Sequence, residues 1–310
     1  MSRALLEVMS PVTHSLGLLS PSEWALHTLI GLSFGLLLFL VASGFTLTFG
    51  LARFVNLSHG ATFMVAAHVT SSVVDGPDNF VLGVAAAVAA GIVVSLLVFV
   101  VAAIRWSAIS TDPTRQVLFT FGCLLVIADQ VRRHWDGLPL SVQLPSGLEG
   151  SIGIGNSAFP VYRLVVMAIT ATVAIGLWWL TERTHFGALV RAGVDDREQL
   201  EAMGVQPRNL YLAVFGLAGG FAGLAGGLGA PILGASVGQE FTILIFALVA
   251  VVIGGLGDLT GAFAASILVG LVDAYGKALV PQFASFTMMA LVVLVLALRP
   301  QGLRSLRGAV

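Results

Sequence analysis

The chain has 310 residues, 57% hydrophobic and 10% charged, with a mean hydropathy of +0.97 and a formal net charge of −1. A soluble domain carries about 25% charged residues, so this composition excludes a water-solvated globule and points to lipid as the solvent. The balanced charge gives no basic stripe to neutralise phosphates, which argues against a nucleic-acid binder. The single cysteine, Cys123, excludes an intrachain disulfide and a cysteine metal cluster, and among TFGCLLV it reads as a packed core thiol.

The first segment, 1–23, carries Arg3, but Glu7, Pro11 and His14 interrupt the apolar run a signal peptide needs. It reads as an uncleaved interfacial segment. Apolar runs then follow at 24–52, 54–74, 80–104, 116–128 extended to about 134, 164–181, 209–230, 241–257, 259–279 and 282–298, with charge only at the end of the fourth (Asp129, Arg132, Arg133) and in the last turns of the eighth (Asp273, Lys277). These are continuous apolar stretches without the alternation of barrel strands. They predict an all-α polytopic membrane protein with about nine transmembrane helices, eight to ten being compatible, in one transmembrane domain over 1–310.

Arginine placement sets the expected orientation. With Arg183, Arg191, Arg197 and Arg208 on a cytoplasmic loop, alternation also places Arg53, Arg105, Arg115, Arg299, Arg304 and Arg307 inside. Only Arg3, Arg132, Arg133, Arg163 and Lys277 then fall outside. The C-terminus is expected in the cytoplasm, and an odd helix count places the N-terminus outside.

The stretch FVNLSHGATFM at 54–64 puts Asn56, Ser58 and His59 in a run with no Asp, Glu, Lys or Arg between Arg53 and Asp75. Polar groups at membrane depth are costly and mark functional candidates. With Gly60, the stretch can break or tightly pack a helix and form part of a translocation path. The other reading is structural: Asn56 and His59, three apart, tie their helix to a neighbour. A metal site lacks a second ligand at suitable spacing. Thr46 and Thr48, just before, belong to the same candidate set, though they can instead bond helix carbonyls.

At the outer end of the fourth run, Asp129, Gln130, Arg132 and Arg133 make either a salt-bridged helix end or an outer vestibule that attracts anionic cargo or docks an acidic lobe of a partner protein. Residues 136–160, rich in Gly, Pro and Ser, read as an external loop with turns. The loop at 182–208 contains a short helix, 194–204, whose Asp195 and Glu198 form a capping box. Gly204 supplies a left-handed stop and Pro207 prevents continuation. Leu200 and Met203 share one face, while Asp196, Arg197 and Glu201 point elsewhere. So short a helix needs a packing partner, either another protein or its own bundle.

Downstream, Gly216, Gly219, Gly220, Gly223 and Gly227 stand at small-xxx-small spacing for close helix packing. Glu240 marks a helix start after the SVGQ turn, and Asp273 with Lys277 has the favourable order for a helical ion pair.

Four stretches carry a family resemblance in order: GFTLTFGLARFVNLSHGATFMVAA at 44–67, RAGVDDREQLEAMGVQPRNLYLAVFGLAGGFAGLAGGL at 191–228, VVIGGLGDLTGAFAASILVGLVDA at 251–274, and LRPQGL at 298–303. Over nearly its whole length the chain resembles the LivH-type permeases of branched-chain amino acid ABC importers. The resemblance implies a multi-pass inner-membrane permease whose cytoplasmic loop is a coupling helix docked on an ATPase, here Asp195, Asp196, Arg197, Glu198, Leu200, Glu201, Met203 and Gly204. Packing or hinge roles are expected for Gly60, Gly219, Gly223, Gly227, Gly254, Gly255, Gly257 and Gly261. Ser58 before His59 is a mild departure from the family pattern, and Asp258 with Thr260 stands where Ser and Pro are common.

Implied partners are two ATPase subunits, a second permease (LivM-like or a second copy), and a periplasmic or lipid-anchored binding protein. ATP and Mg belong to the ATPases and no cofactor to this chain. No G-x-x-x-x-G-K-S/T occurs, so no ATP hydrolysis is expected here. The expected cargo is a branched-chain or other hydrophobic amino acid, with urea, short amides or small carboxylates as the alternative. A stand-alone channel or ion-coupled transporter would need midplane ion ligands, and the central spans carry carboxylates only near their ends. An intramembrane hydrolase is disfavoured because Ser58 and His59, as sequence neighbours, diverge on a helix.

Overall fold

A computed structural model describes residues 20–52, 54–74, 79–104, 112–155, 157–195, 204 and 206–298. Its helices are α1 (Pro21–Ala52), α2 (His59–Val73), α3 (Phe80–Ile104), α4 (Pro113–His134), α5 (Val161–Arg183), α6 (His185–Asp195), α7 (Pro207–Leu233), α8 (Gln239–Gly254), α9 (Leu259–Leu279) and α10 (Ala284–Leu298). Six of them, α1, α3, α4, α5, α7 and α9, are long and apolar enough to cross a membrane. This is an all-α, multi-pass membrane protein.

Several boundaries differ from expectation, each for a local reason. The first helix starts at Pro21 rather than 24, because Ser20 and Glu23 close a capping box. The Glu23 carboxylate accepts from the Ser20 amide at 2.6 Å and from its hydroxyl at 3.0 Å, with Pro21 at the first helical position. The run at 54–74 becomes a helix only from His59, leaving 15 residues, about 22 Å of rise. That is short of a bilayer core of about 30 Å. The loop at 136–160 carries an antiparallel hairpin, β1 (Ser151–Ile154) with β2 (Ser157–Pro160), and a separate bridge joins Leu140 to Ala235. Cys123 is half-buried on α4 rather than packed in the core. Asp195 is already helical at the end of α6, so it does not act as the non-helical cap of a helix starting there. Residues 196–203, with Asp196, Arg197, Glu198, Leu200, Glu201 and Met203, lie outside the described residues.

The bundle is organised around α1, which lies against α9, α7 and α8; α7 also packs on α3 and α2. Close approach depends on residues without side chains. A Cβ on Gly223 would sit 2.8 Å from the Val88 Cα, and one on Gly31 2.9 Å from the Leu271 Cα. Gly219 and Gly91 face each other, as do Gly254 and Gly261, across α7–α3 and α8–α9. A Cβ on Gly227 would come 3.1 Å from the Ala87 methyl and 3.3 Å from the Val84 Cα, whereas Gly216 and Gly220 have only side chains near them, so the close seam is narrower than the five-glycine stretch suggests. Between α8 and α9, Gly255 (φ 98°) and Gly257 (φ 83°) adopt backbone that only glycine takes without strain, and they reverse the chain. Asp258 then caps α9, accepting from the Thr260 and Gly261 amides at 2.9 and 3.1 Å. That gives the departure from the family pattern at Asp258 a structural role.

Candidate functional site

The polar stretch forms a corner between α1 and α2. Residues 54–58 are not helical, so their amides and carbonyls lose the helical ladder and need other partners. Helix α4 supplies them. Gln116 Oε1 accepts from the Val55 amide at 3.0 Å, and Thr120 Oγ1 accepts from the Leu57 amide at 3.1 Å. The Thr120 hydroxyl has its nearest acceptor in the Gln116 carbonyl one turn back, at 2.8 Å, with the Val55 carbonyl at 3.1 Å sharing the same proton. Gln116 and Thr120 are buried, 1% and 0% exposed. Sequence reading missed both. Their signal was present, since a Gln and a Thr four apart share one face of an apolar helix.

Within the corner, Asn56, Ser58 and His59 are all buried. The Ser58 hydroxyl donates to Asn56 Oδ1 at 2.5 Å. His59 Nε2 lies 3.1 Å from the Val41 carbonyl on α1, and its ring meets Phe45 edge-on with centroids 6.4 Å apart. Gly44 makes room for it, because a Cβ there would come within 2.7 Å of the imidazole. A carbonyl only accepts, so Nε2 carries the proton and Nδ1 is an acceptor. Ser58 and His59 therefore have separate partners and share no proton.

Gly60 follows at a close crossing with α8, where a Cβ would run into the Glu240 backbone and come 2.9 Å from the Leu244 Cβ. Glu240 does lie at a helix start, one residue into α8, and its carboxylate accepts from the Gly238 amide at 2.7 Å. It is 1% exposed, a burial its place in the sequence did not suggest. Thr48 bonds back to the Gly44 and Phe45 carbonyls at 3.2 and 3.0 Å.

Three side-chain atoms of this set have no partner among the described residues: Asn56 Nδ2, His59 Nδ1 and Thr46 Oγ1. Each such buried polar atom costs about 1–3 kcal/mol. Two donors and one acceptor suit water or a small polar solute, and no group of three His, Cys, Asp or Glu side chains suited to a metal occurs among the described residues.

An apolar cluster joins this corner to the loop after α5. Phe54 packs with Leu177, Leu210 and Phe215, and Phe186, Leu189 and Val190 of α6 pack against the same cluster. The Phe54 and Phe215 ring centroids are 5.6 Å apart. Gly204 has φ 79°, a left-handed conformation.

The remaining candidates lie elsewhere. Asp129, Gln130, Arg132 and Arg133 are exposed near the end of α4, where Arg133 Nε donates to Asp129 Oδ2 at 2.8 Å. Asp273 and Lys277 form the expected ion pair on α9, with Nζ to Oδ2 at 2.6 Å.

Comparison with known proteins adds an independent line. The family described as "branched-chain amino acid transport system / permease component" matches residues 27–298. The chain is 24% identical over 295 residues to the high-affinity branched-chain amino acid transport system permease protein BraD of Pseudomonas aeruginosa, covering 88% of this chain and 93% of that protein. It is 23% identical over 299 residues to LivH of Escherichia coli K12, with 88% and 92% covered. It is 26% identical over 248 residues to a probable branched-chain amino acid transport permease protein LivH of Methanocaldococcus jannaschii, with 76% and 75% covered. No solved structure matches the chain.

Proposed function

We propose that this chain, which belongs to the family of branched-chain amino acid transport system permease components, is the membrane-spanning subunit of an ATP-driven importer in a bacterial cytoplasmic membrane. It would carry branched-chain or other hydrophobic amino acids. The observation that supports this most is a family match running through almost every helix, from 27 to 298.

In this reading the corner at 54–60 is a gate element. The path runs past Asn56, Ser58, Thr46 and Thr48, whose neighbourhood holds polar atoms without a partner among the described residues, open to water or cargo. His59, bonded to Val41, forms its wall. Gln116 and Thr120 latch the corner to α4, so a shift of α4 against α1 and α2 breaks the latch and re-aims α2, with Gly60 allowing the sliding contact on α8.

Work enters from two cytoplasmic ATPase subunits, which supply ATP and Mg chemistry, through the coupling segment 194–204. The α6 cluster on Phe54 carries the displacement inward. A second permease, LivM-like or a second copy, completes the path, and a binding protein delivers cargo. The chain itself breaks no covalent bond.

Affinity purification of the tagged chain, coexpressed with the genes beside its own, tests the assembly. An ATPase subunit retained through mild detergent supports the reading. A chain that purifies without any ATPase and transports alone contradicts it.

A further inference from the structure

A cavity of about 290 Å³ opens toward one end of the bundle, between residues 27–37 of α1, the first turn of α5 and the last turns of α7 and α9. This is near the lower bound of small-molecule pockets, which run from ~300 to 1,000 Å³. It has room for one small molecule and too little for a peptide. The β1–β2 hairpin lies at the same end, with Gly155 against Ser22.

The lining divides by chemistry. One part is charged: Arg163 from α5, and Asp273 with Lys277 from α9. Arg163 has no ion-pair partner among the described residues. Asp273 gives only Oδ2 to Lys277, leaving Oδ1 unbonded among those residues. A second part is apolar: Phe34 and Leu37 of α1 with Ile232 of α7. Between them stands Ser33, 1% exposed, whose hydroxyl has no partner although it is buried against the cavity.

The wall that carries Ser33 is rigid. Gly31 and Gly35 let α1 touch the α9 backbone at Gly270, Leu271 and Ser266. One turn further out, Thr28 Oγ1 and the Tyr275 hydroxyl are 2.6 Å apart, and Trp24 packs on the Tyr275 ring with centroids at 5.2 Å. The cavity is therefore a built feature of the α1–α9 seam.

We infer that this cavity is a binding site for a free α-amino acid zwitterion with an apolar side chain. A carboxylate suits the unpaired guanidinium of Arg163, an ammonium suits the free oxygen of Asp273, and the Ser33 hydroxyl bonds either. The apolar wall takes the side chain. The site lies apart from the 54–60 corner, and the orientation proposed above places it at the external face, where cargo is received. The inference rests on the importer reading for that role and on the lining chemistry for the ligand class.

The test is equilibrium binding of radiolabelled L-leucine to the full-length chain in nanodiscs, with leucinamide and 4-methylpentanoate as competitors lacking one charge each. Saturable leucine binding is expected, with both competitors at least tenfold weaker. Arg163→Gln, Ser33→Ala and Asp273→Asn should each weaken it about tenfold or more. Ala278→Phe, which fills the cavity without removing a polar group, should abolish it and remains informative if a polar variant fails to fold.

Absence of saturable binding by the wild type overturns the inference, and so does binding that Arg163→Gln and Ala278→Phe leave unchanged. Co-purified phosphatidylethanolamine that leucine does not displace assigns the cavity to a lipid headgroup and also overturns it. The two readings fail differently. An assembled importer that moves leucine with wild-type KM after Ala278→Phe removes this site and leaves the importer intact, whereas an assembled wild type with no ATP-driven uptake removes the importer reading.

Discussion

Thr120→Val isolates the latch between α4 and the corner. The substitution keeps the branched shape and removes the oxygen that accepts from the Leu57 amide at 3.1 Å, together with a proton shared between the Gln116 carbonyl at 2.8 Å and the Val55 carbonyl at 3.1 Å. Thr120 is 0% exposed, so water does not replace it. Side-chain hydrogen bonds in membrane proteins average about 0.6 kcal/mol where the freed group finds another partner. An amide left unbonded in the interior costs about 1–3 kcal/mol. Leu57 sits outside any helical ladder, so the higher range applies, and a loss of about 2 kcal/mol is expected, roughly thirtyfold in the folding equilibrium. Reversible unfolding of the purified chain in mixed micelles by SDS titration, followed by tryptophan fluorescence, measures it. Thr120→Ser, which restores the hydroxyl, should recover more than half of the loss. A Thr120→Val protein within about 0.5 kcal/mol of wild type, or a serine variant no better than valine, refutes the latch.

Other perturbations read different parts of the account. Gly91→Ala would put a methyl 2.8 Å from the Gly223 Cα and should cost about 3 kcal/mol or more. Gly122→Ala has nothing within 4 Å and should be neutral or gain up to about 1 kcal/mol from helix propensity; equal effects in the same unfolding assay would contradict the packing described. His59→Ala loses the bond to Val41 and a buried ring, so about 2–3 kcal/mol of stability should go while uptake per folded transporter stays within about twofold. Asn56→Ala should do the reverse, cutting uptake at least tenfold with little change in melting temperature; exchanged outcomes would put His59 on the path and Asn56 in the wall. Leu200→Asp with Met203→Asp should leave the chain inserted but abolish ATPase retention on purification, and normal substrate-stimulated ATP hydrolysis would remove the coupling role from 194–204.

The helical membrane architecture was legible because lipid imposes a coarse code: uncharged runs of bilayer length can only be helices. The Asp273–Lys277 pair was legible for a similar reason, since both partners lie one turn apart on a single helix. What the sequence hid depended on which helices meet. The α1–α9 seam at Gly31, Gly35 and Gly270 carries the small-residue spacing that was recognised in α7, yet it is split across positions more than 200 residues apart. The partners of the corner, Gln116 and Thr120, come from a helix that sequence marked only as a span. The break at 54–58 was foreseen from its polar residues and Gly60, but whether His59 faced a neighbour depended on Gly44, one methylene of space on another helix. The capping box at Ser20 and Glu23 was local and readable, and was masked by treating 1–23 as interfacial.

The importer claim is tested most directly by uptake of radiolabelled leucine into proteoliposomes holding this chain with its partner permease and ATPases, with the binding protein supplied outside. The account predicts uptake that requires ATP and the binding protein and is unaffected by collapsing ion gradients. Uptake by this chain alone, without ATPase or ATP, would contradict it.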